Sequence, residues 1–261
     1  MKEKRNPTMQ ELRKVALLCA NEDTVAIGGM AVSILAEVYG VDTGEPCMTL
    51  DFLGDRLAIE LSEKQLAGYG LRKYLATLDD ATTPNSGKLA VDIDRNAEPA
   101  EVDFLFRIDG LSTDEIESKA MRLDIDGKSI RVMHPILLLE NKINNLALYP
   151  KKRNGAGVNQ ARLAIAIARS YLERIDDQRS LLAAIERIGR FSQREASCFA
   201  FKAFGLDTLT AVASERVTSP EFATKRWPQL QLAVGERRAA FSHLWERVAL
   251  KADPKKGRFH I

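Results

Sequence analysis

The chain has 261 residues, 45% of them apolar and 28% charged, and a net charge of +2. Those proportions describe an ordinary globular protein and exclude a disordered or collagen-like one. Its three cysteines, Cys19, Cys47 and Cys198, are odd in number and scattered. They give neither a disulfide framework nor a zinc spacing, and a reducing cytoplasm is the expected location.

The start, Met1 to Pro7, is charged and no apolar run follows it, so a secretory signal is not expected. No apolar stretch approaches membrane-spanning length, so no membrane partner is expected either. The small net charge hides a division. Residues 1–150 carry 17 Lys+Arg against 25 Asp+Glu, a balance of −8; residues 151–261 carry 21 against 11, a balance of +10. Either the two halves complement each other or the second meets a polyanion.

Along the chain, Thr8-x-x-Glu11 is a capping box, and Leu12, Val15, Ala16 and Leu18 behind it predict a helix to about Cys19. Thr24 to Ile27 reads as a strand that enters Gly28-Gly29, and Ala31, Ile34, Leu35 and Val38 then predict a helix from Met30 to Tyr39. After a loop through Gly40, Gly44 and Pro46, a second strand is expected from about Cys47 to Leu53. Ser62 is the expected cap of a helix running to Leu78, with a turn-rich break from Thr82 to Gly87.

Four strands are predicted next: Leu89 to Ile93, Glu101 to Arg107, Met121 to Ile125 and Ser129 to Val132, with Asp126-Gly127 turning the last pair. Asp114-Glu115-Ile116 reads as a helical turn. From Pro135 the pattern is helical, with breaks near Pro150 to Gly157, Asp176-Asp177, Gly189, Gly205 and Pro220. The expected architecture is α+β: a mixed sheet flanked by helices over residues 1–150, then a basic, all-helical region over 151–261.

Two aspartates stand in apolar strands, Asp51 in Thr49-Leu50-Asp51-Phe52-Leu53 and Asp103 in Val102-Asp103-Phe104-Leu105. A carboxylate in such a setting is expensive to bury alone, so each is expected to have a cation or a ligand. Residues i and i+2 of a strand share a face about 7 Å apart, whereas i and i+4 lie about 13 Å apart. Asp55 could therefore join Asp51 only if Gly54 kinks the strand. Asp92, in a hairpin turning around Asn96 to Pro99, is expected opposite Asp103 as a replacement metal ligand. Two adjacent glycines at a helix start, Gly28 and Gly29, let a backbone approach a phosphate whose charge meets unpaired N–H groups.

That order of Gly-Gly helix, aspartate strand and second aspartate strand resembles the nucleotidyltransferases of the DNA polymerase β superfamily. His134-Pro135-Ile136-Leu137-Leu138-Leu139-Glu140-Asn141-Lys142 is similar to the Pro-x-x-Leu-Leu…Lys helix of the abortive-infection type toxin nucleotidyltransferases. The match spans roughly residues 20 to 170. It implies a polymerase β-like fold in which Asp51 and Asp103 are catalytic and bind Mg²⁺ or Mn²⁺. Gly28 and Gly29 would cradle a nucleoside triphosphate, and Lys142 would reach its phosphates. The implied acceptor is RNA, such as tRNA, or protein, in a toxin or defence role with a cognate antitoxin as partner.

The family's Asp-x-Asp is degenerate here. Either Leu53 stands where its second carboxylate would be or Thr49 stands where its first would be, and Gly157 to Arg162 lacks the acids of the relatives' Lys-Asp-x-x-Asp segment. The alternative reading is thus a catalytically impaired binder of nucleotide, nucleic acid or a protein. Lys151, Lys152 and Arg153 form a basic loop suited to nucleic-acid phosphates. Arg237-Arg238, Arg247 and Lys255-Lys256 would extend a polyanion track, and Trp227 and Trp245 are either stacking groups or core.

Overall fold

A computed structural model describes residues 4–44, 49–77, 84–217 and 219–251. It divides into two compact units, residues 1–142 and 143–261. In the first, helix α1 (Met9–Cys19) has the expected capping box: Glu11 N–H donates to Thr8 Oγ1, and Thr8 N–H donates to the Glu11 carboxylate. Strand β1 (Val25–Ile27) passes directly into α2 (Gly28–Tyr39), which closes on a left-handed Gly40. The helix takes in both glycines rather than beginning at Met30.

Strand β2 (Leu50–Leu53) is followed by α3 (Arg56–Gln65), β3 (Gly70–Leu75), β4 (Asn85–Asp92) and β5 (Ala100–Leu105). Helix α4 (Thr113–Lys119) leads to the hairpin of β6 (Met121–Ile125) and β7 (Lys128–Val132). Asp126 and Gly127 turn that hairpin at φ +53° and +73°, the twist that suits a two-residue connection. Helix α5 (Pro135–Leu148) then begins at its proline as expected.

One expectation fails between residues 62 and 78. Asp55 caps α3 by accepting from Ala58 N–H, while Ser62 is buried inside that helix and donates to Cys19 O and Ala58 O. Residues 70–75, read as helix, are an edge strand, because Leu71, Tyr74 and Leu75 are answered by a partner, β4, that local periodicity does not reveal. Leu78, the expected end of that helix, lies outside the described residues, as do Cys47, Thr82 and Thr83; the rest of the expected break does not form, because Asn85 to Gly87 are the start of β4.

The seven strands form one mixed sheet in the order β3-β4-β5-β2-β1-β7-β6. β2 runs parallel to β5 and β1 parallel to β7; the other neighbours are antiparallel. Strand alternation sorts the sheet into two faces. On one, Phe52 and Phe104 are fully buried register partners with ring centroids 5.8 Å apart. Helix α3 covers that face: a side chain at Gly54 would meet both Ala58 and Phe104, and one at Gly87 would meet Ile59. The opposite face carries Asp51, Lys88, Glu101 and Asp103.

The second unit holds α6 (Gly155–Glu173), α7 (Gln178–Phe191), α8 (Glu195–Phe204) and α9 (Trp227–Lys251). Gly189 does not break α7; it gives Leu230 room, since a Cβ there would lie 3.1 Å from the leucine. Trp227 is buried, in keeping with a core role, and the side chains of Trp245 and Arg247, with Lys255 and Lys256, are outside the described set. Buried hydroxyls of Ser192 and Ser197 both meet Thr208, at 2.6 and 2.8 Å. No helix among the described residues is long and apolar enough to cross a membrane.

Phe52→Ala removes a fully buried ring under the carboxylate face and is expected to cost about 3–5 kcal/mol of stability, measurable by urea unfolding of the whole chain.

Candidate functional site

Strand pairing, not sequence spacing, assembles the site. Ile27 is the register partner of Asp51, Asp51 of Asp103, Asp103 of Lys88 and Lys88 of Tyr74. These residues make one row across five adjacent strands on one face, with neighbours about 5 Å apart from strand to strand. The row begins where β1 becomes α2. Gly28 there has φ +63°, and a Cβ on it would lie 2.2 Å from Asp51 Oδ2. Only glycine admits both that backbone and a carboxylate in such close contact.

The two aspartates differ in their surroundings. Asp103 is a third exposed, with Lys88 Nζ 3.4 Å from its Oδ1; the same ammonium lies 2.8 Å from Glu101 Oε2. Burial pushes the Asp103 carboxyl up, Lys88 opposes that shift, and the like charge of Asp51 adds to it. The hydrogen bond to Glu101 and the charge of Asp103 raise the Lys88 ammonium above the usual lysine range, so it is a cation at neutral pH. Asp51 is half-buried and makes no ion pair or side-chain hydrogen bond among the described residues.

Leu53, sharing the Asp51 face, is buried at 2% exposure between its register partners Val25 and Leu105. Thr49 lies just before β2 and lines a cavity of about 370 Å³ with Asn6, Pro7, Pro99, Glu101 and Asp103. That volume is within the usual range for small-molecule sites. Among the described residues no group of three or more His, Cys, Asp and Glu is placed to hold a metal ion.

The expectation for Asp92 requires correction. It pairs with Gly70 rather than Asp103 and lies 3.6 Å from Arg72. Lys88 takes the place opposite Asp103, so Asp92 is four residues, about 13 Å, further along β4. The cause is a longer, non-local turn. Arg5 exchanges backbone hydrogen bonds with Asn96 and Glu98, and its guanidinium binds Asp94 and Glu11. Asp55 is a helix cap and not a ligand.

Arg153 donates to the carbonyls of Leu146 and Ala147 at 2.9 Å and lies over the Phe199 ring. It closes the end of α5 rather than presenting itself to phosphate, while Lys151 and Lys152 are exposed. Arg238 is similarly engaged by Asp207, and Arg237 by Glu195. Lys142 is 5% exposed on α5, where Glu140, Asn141 and Asn144 are buried as well. A lysine at that depth is retained with a partner.

Lys88 is the residue that sequence reasoning missed. Its only signal was the β4–β5 register: pairing Val91 with Ala100 brings Lys88 to Asp103.

No family model and no curated protein sequence matches the chain. Among solved structures it is similar to an antigenic nucleotidyltransferase-like protein from Paracoccidioides brasiliensis, at 14% identity and a TM-score of 0.42, over 69% of this chain and 94% of that one. A likeness at that level assigns no chemistry; what this chain can do follows from its own side chains.

The electrostatic picture has a direct check in carboxyl NMR titration. Lys88→Met should move the Asp103 titration to higher pH by removing the cation that lowers it. Asp51→Asn should move it to lower pH by removing the like charge.

Proposed function

We propose that this chain binds a nucleoside triphosphate in the manner of a nucleotidyltransferase, with the phosphates at the Gly28-Gly29 helix start and against the Asp51–Asp103 row. The observation that carries this reading is the Asp51 carboxylate, half-buried, without an ionic partner and pressed against a glycine backbone. The start of α2 presents unpaired N–H groups to an anion, and Gly28 has no side chain to keep the anion away.

Two carboxylates in register fit one hard divalent cation, Mg²⁺ or Mn²⁺, with water and phosphate oxygens completing its coordination. They do not fit a pair of ions, because Leu53 is apolar and Lys88 already lies on Asp103. The ion would neutralise phosphate charge when bound. The chain's own residues supply the rest: Gly28 and Gly29 seat the phosphates, and Asp51 and Asp103 fix the site.

The reaction that suits such a site is nucleotidyl transfer. An acceptor oxygen attacks the α-phosphorus, the bond from that phosphorus to the bridging oxygen breaks, and pyrophosphate leaves with the electron pair. Positioning and charge neutralisation dominate such transfers, and no protein nucleophile is needed. The acceptor in this reading is RNA, such as tRNA, or a protein, in a toxin or defence setting with an antitoxin partner. The exposed Lys151 and Lys152 would then contact RNA phosphates.

A second reading, nucleotide binding without turnover, is favoured by one observation: the strand that should carry a second carboxylate buries Leu53 instead.

Calorimetry with nucleoside triphosphates and Mn²⁺ tests binding. Asp51→Asn should weaken it at least about tenfold, and Gly28→Ala should weaken it as much while also straining the backbone. Unchanged affinity in both variants would overturn the assignment. Incubating the chain with α-labelled triphosphate and RNA then separates transfer from silent binding, through label that disappears in Asp103→Asn. For the acceptor, Lys151→Glu with Lys152→Glu should lower RNA affinity and reduce its salt slope by about two ions; an unchanged slope would remove that loop from the interface.

A further inference from the structure

Building on the nucleotide-binding reading, we propose that Lys88 stands in for a second divalent cation, so that this site binds a polyphosphate with a single metal ion or with none. The inference starts from placement. Lys88 occupies the third position of the Asp51–Asp103–Lys88 row, on the strand next to Asp103, fixed there by antiparallel pairing on both sides of β4. Its ammonium is anchored by two carboxylates, Glu101 Oε2 at 2.8 Å and Asp103 Oδ1 at 3.4 Å.

An ammonium has three donors and no acceptor. With two donors directed at carboxylates, the third remains for an oxygen anion arriving over the row. Lys88 keeps a third of its side-chain surface exposed, which leaves that approach open.

Charge matching supports the same conclusion. A site that clamps a phosphate between two ions needs carboxylates enough to hold both. This row offers two, with a positive charge beside them. A second divalent ion at Asp103 would have to displace Lys88 from Asp103 or sit against a fixed cation, and like charges at such range disfavour one another. The ammonium costs no ion dehydration on each binding event, since it is part of the sheet. Magnesium dehydrates reluctantly. The two features together favour a standing lysine charge over a recruited ion.

Glu101 sets the geometry. It lies two residues before Asp103 on β5, on the same face, so Lys88 is held between two neighbours of one strand. Its exposed carboxylate holds Lys88 from a position two residues along β5 from Asp103. Glu101 is therefore a positioning residue.

The test is calorimetry of the full chain with inorganic triphosphate and with ATP, in Mg²⁺ and again in excess chelator, on wild type, Lys88→Met and Lys88→Arg. The wild type should lose no more than about tenfold in affinity on chelation, whereas Lys88→Met should lose at least about a hundredfold while still binding in Mg²⁺. Lys88→Arg should keep most of the chelator-resistant binding. Wild-type binding that vanishes with chelator, or Lys88→Met indistinguishable from wild type in chelator, overturns the inference and leaves the nucleotide-binding reading standing. Absence of triphosphate binding by the wild type under both conditions overturns that reading and the inference with it.

Manganese counting by electron paramagnetic resonance with ATP present gives an independent readout. One ion at most is expected in the wild type and two in Lys88→Asp, where a carboxylate replaces the cation. Two ions already bound by the wild type would overturn the proposal.

Discussion

Parallel pairing of β2 with β5 holds Asp51 and Asp103 side by side and denies them any way to separate. Their backbones are register partners, and the residues after them, Phe52 and Phe104, are stacked in the core on the opposite face. Sliding one strand by a residue to relieve the like charges would turn that strand's phenylalanine out of the core, because side chains alternate with period two. Burial of those rings thus supports a charge repulsion on the other side of the sheet. Such a site is stable only with positive charge nearby, from a side chain, a ligand or both.

The positive charge is unevenly shared. Lys88 meets Asp103, and Glu101 holds the lysine in place. Asp51, at the other end, faces Gly28 rather than a cation. The row is therefore graded, with a satisfied carboxylate toward β4 and an unsatisfied one toward the start of α2. The N–H groups of the helix start add partial positive charge at the end where Asp51 has no cation. This gradient gives the site a direction, from the glycine step toward Asp103.

Much of this was readable from sequence, and the residues that were not share one cause. The α1 capping box, the β6–β7 turn and the start of α5 depend on neighbours within a few residues, and each formed where the pattern placed it. Both aspartates were visible as polar residues in apolar strands. The partner of Asp103 was not, because a shift of four residues in the β4–β5 register depends on Arg5, almost ninety positions from Asp94. Likewise β3 was read as helix because its strand character comes from pairing with β4. Arg153 stands in a basic loop, but the end of α5 needs donors for its last carbonyls and takes the guanidinium for them.

A fixed lysine in such a row also bears on how much negative charge this face of the sheet carries. Leu53 leaves the end of β2 well packed, since it fills the space between Val25 and Leu105. The cation on β4 balances carboxylate charge on this face without altering the strand pairing. Leu53 adds no carboxylate to this face, and Lys88 supplies it with a permanent positive charge. An ammonium stabilises charge that develops on phosphate oxygens less strongly than a divalent ion, since it carries half the charge.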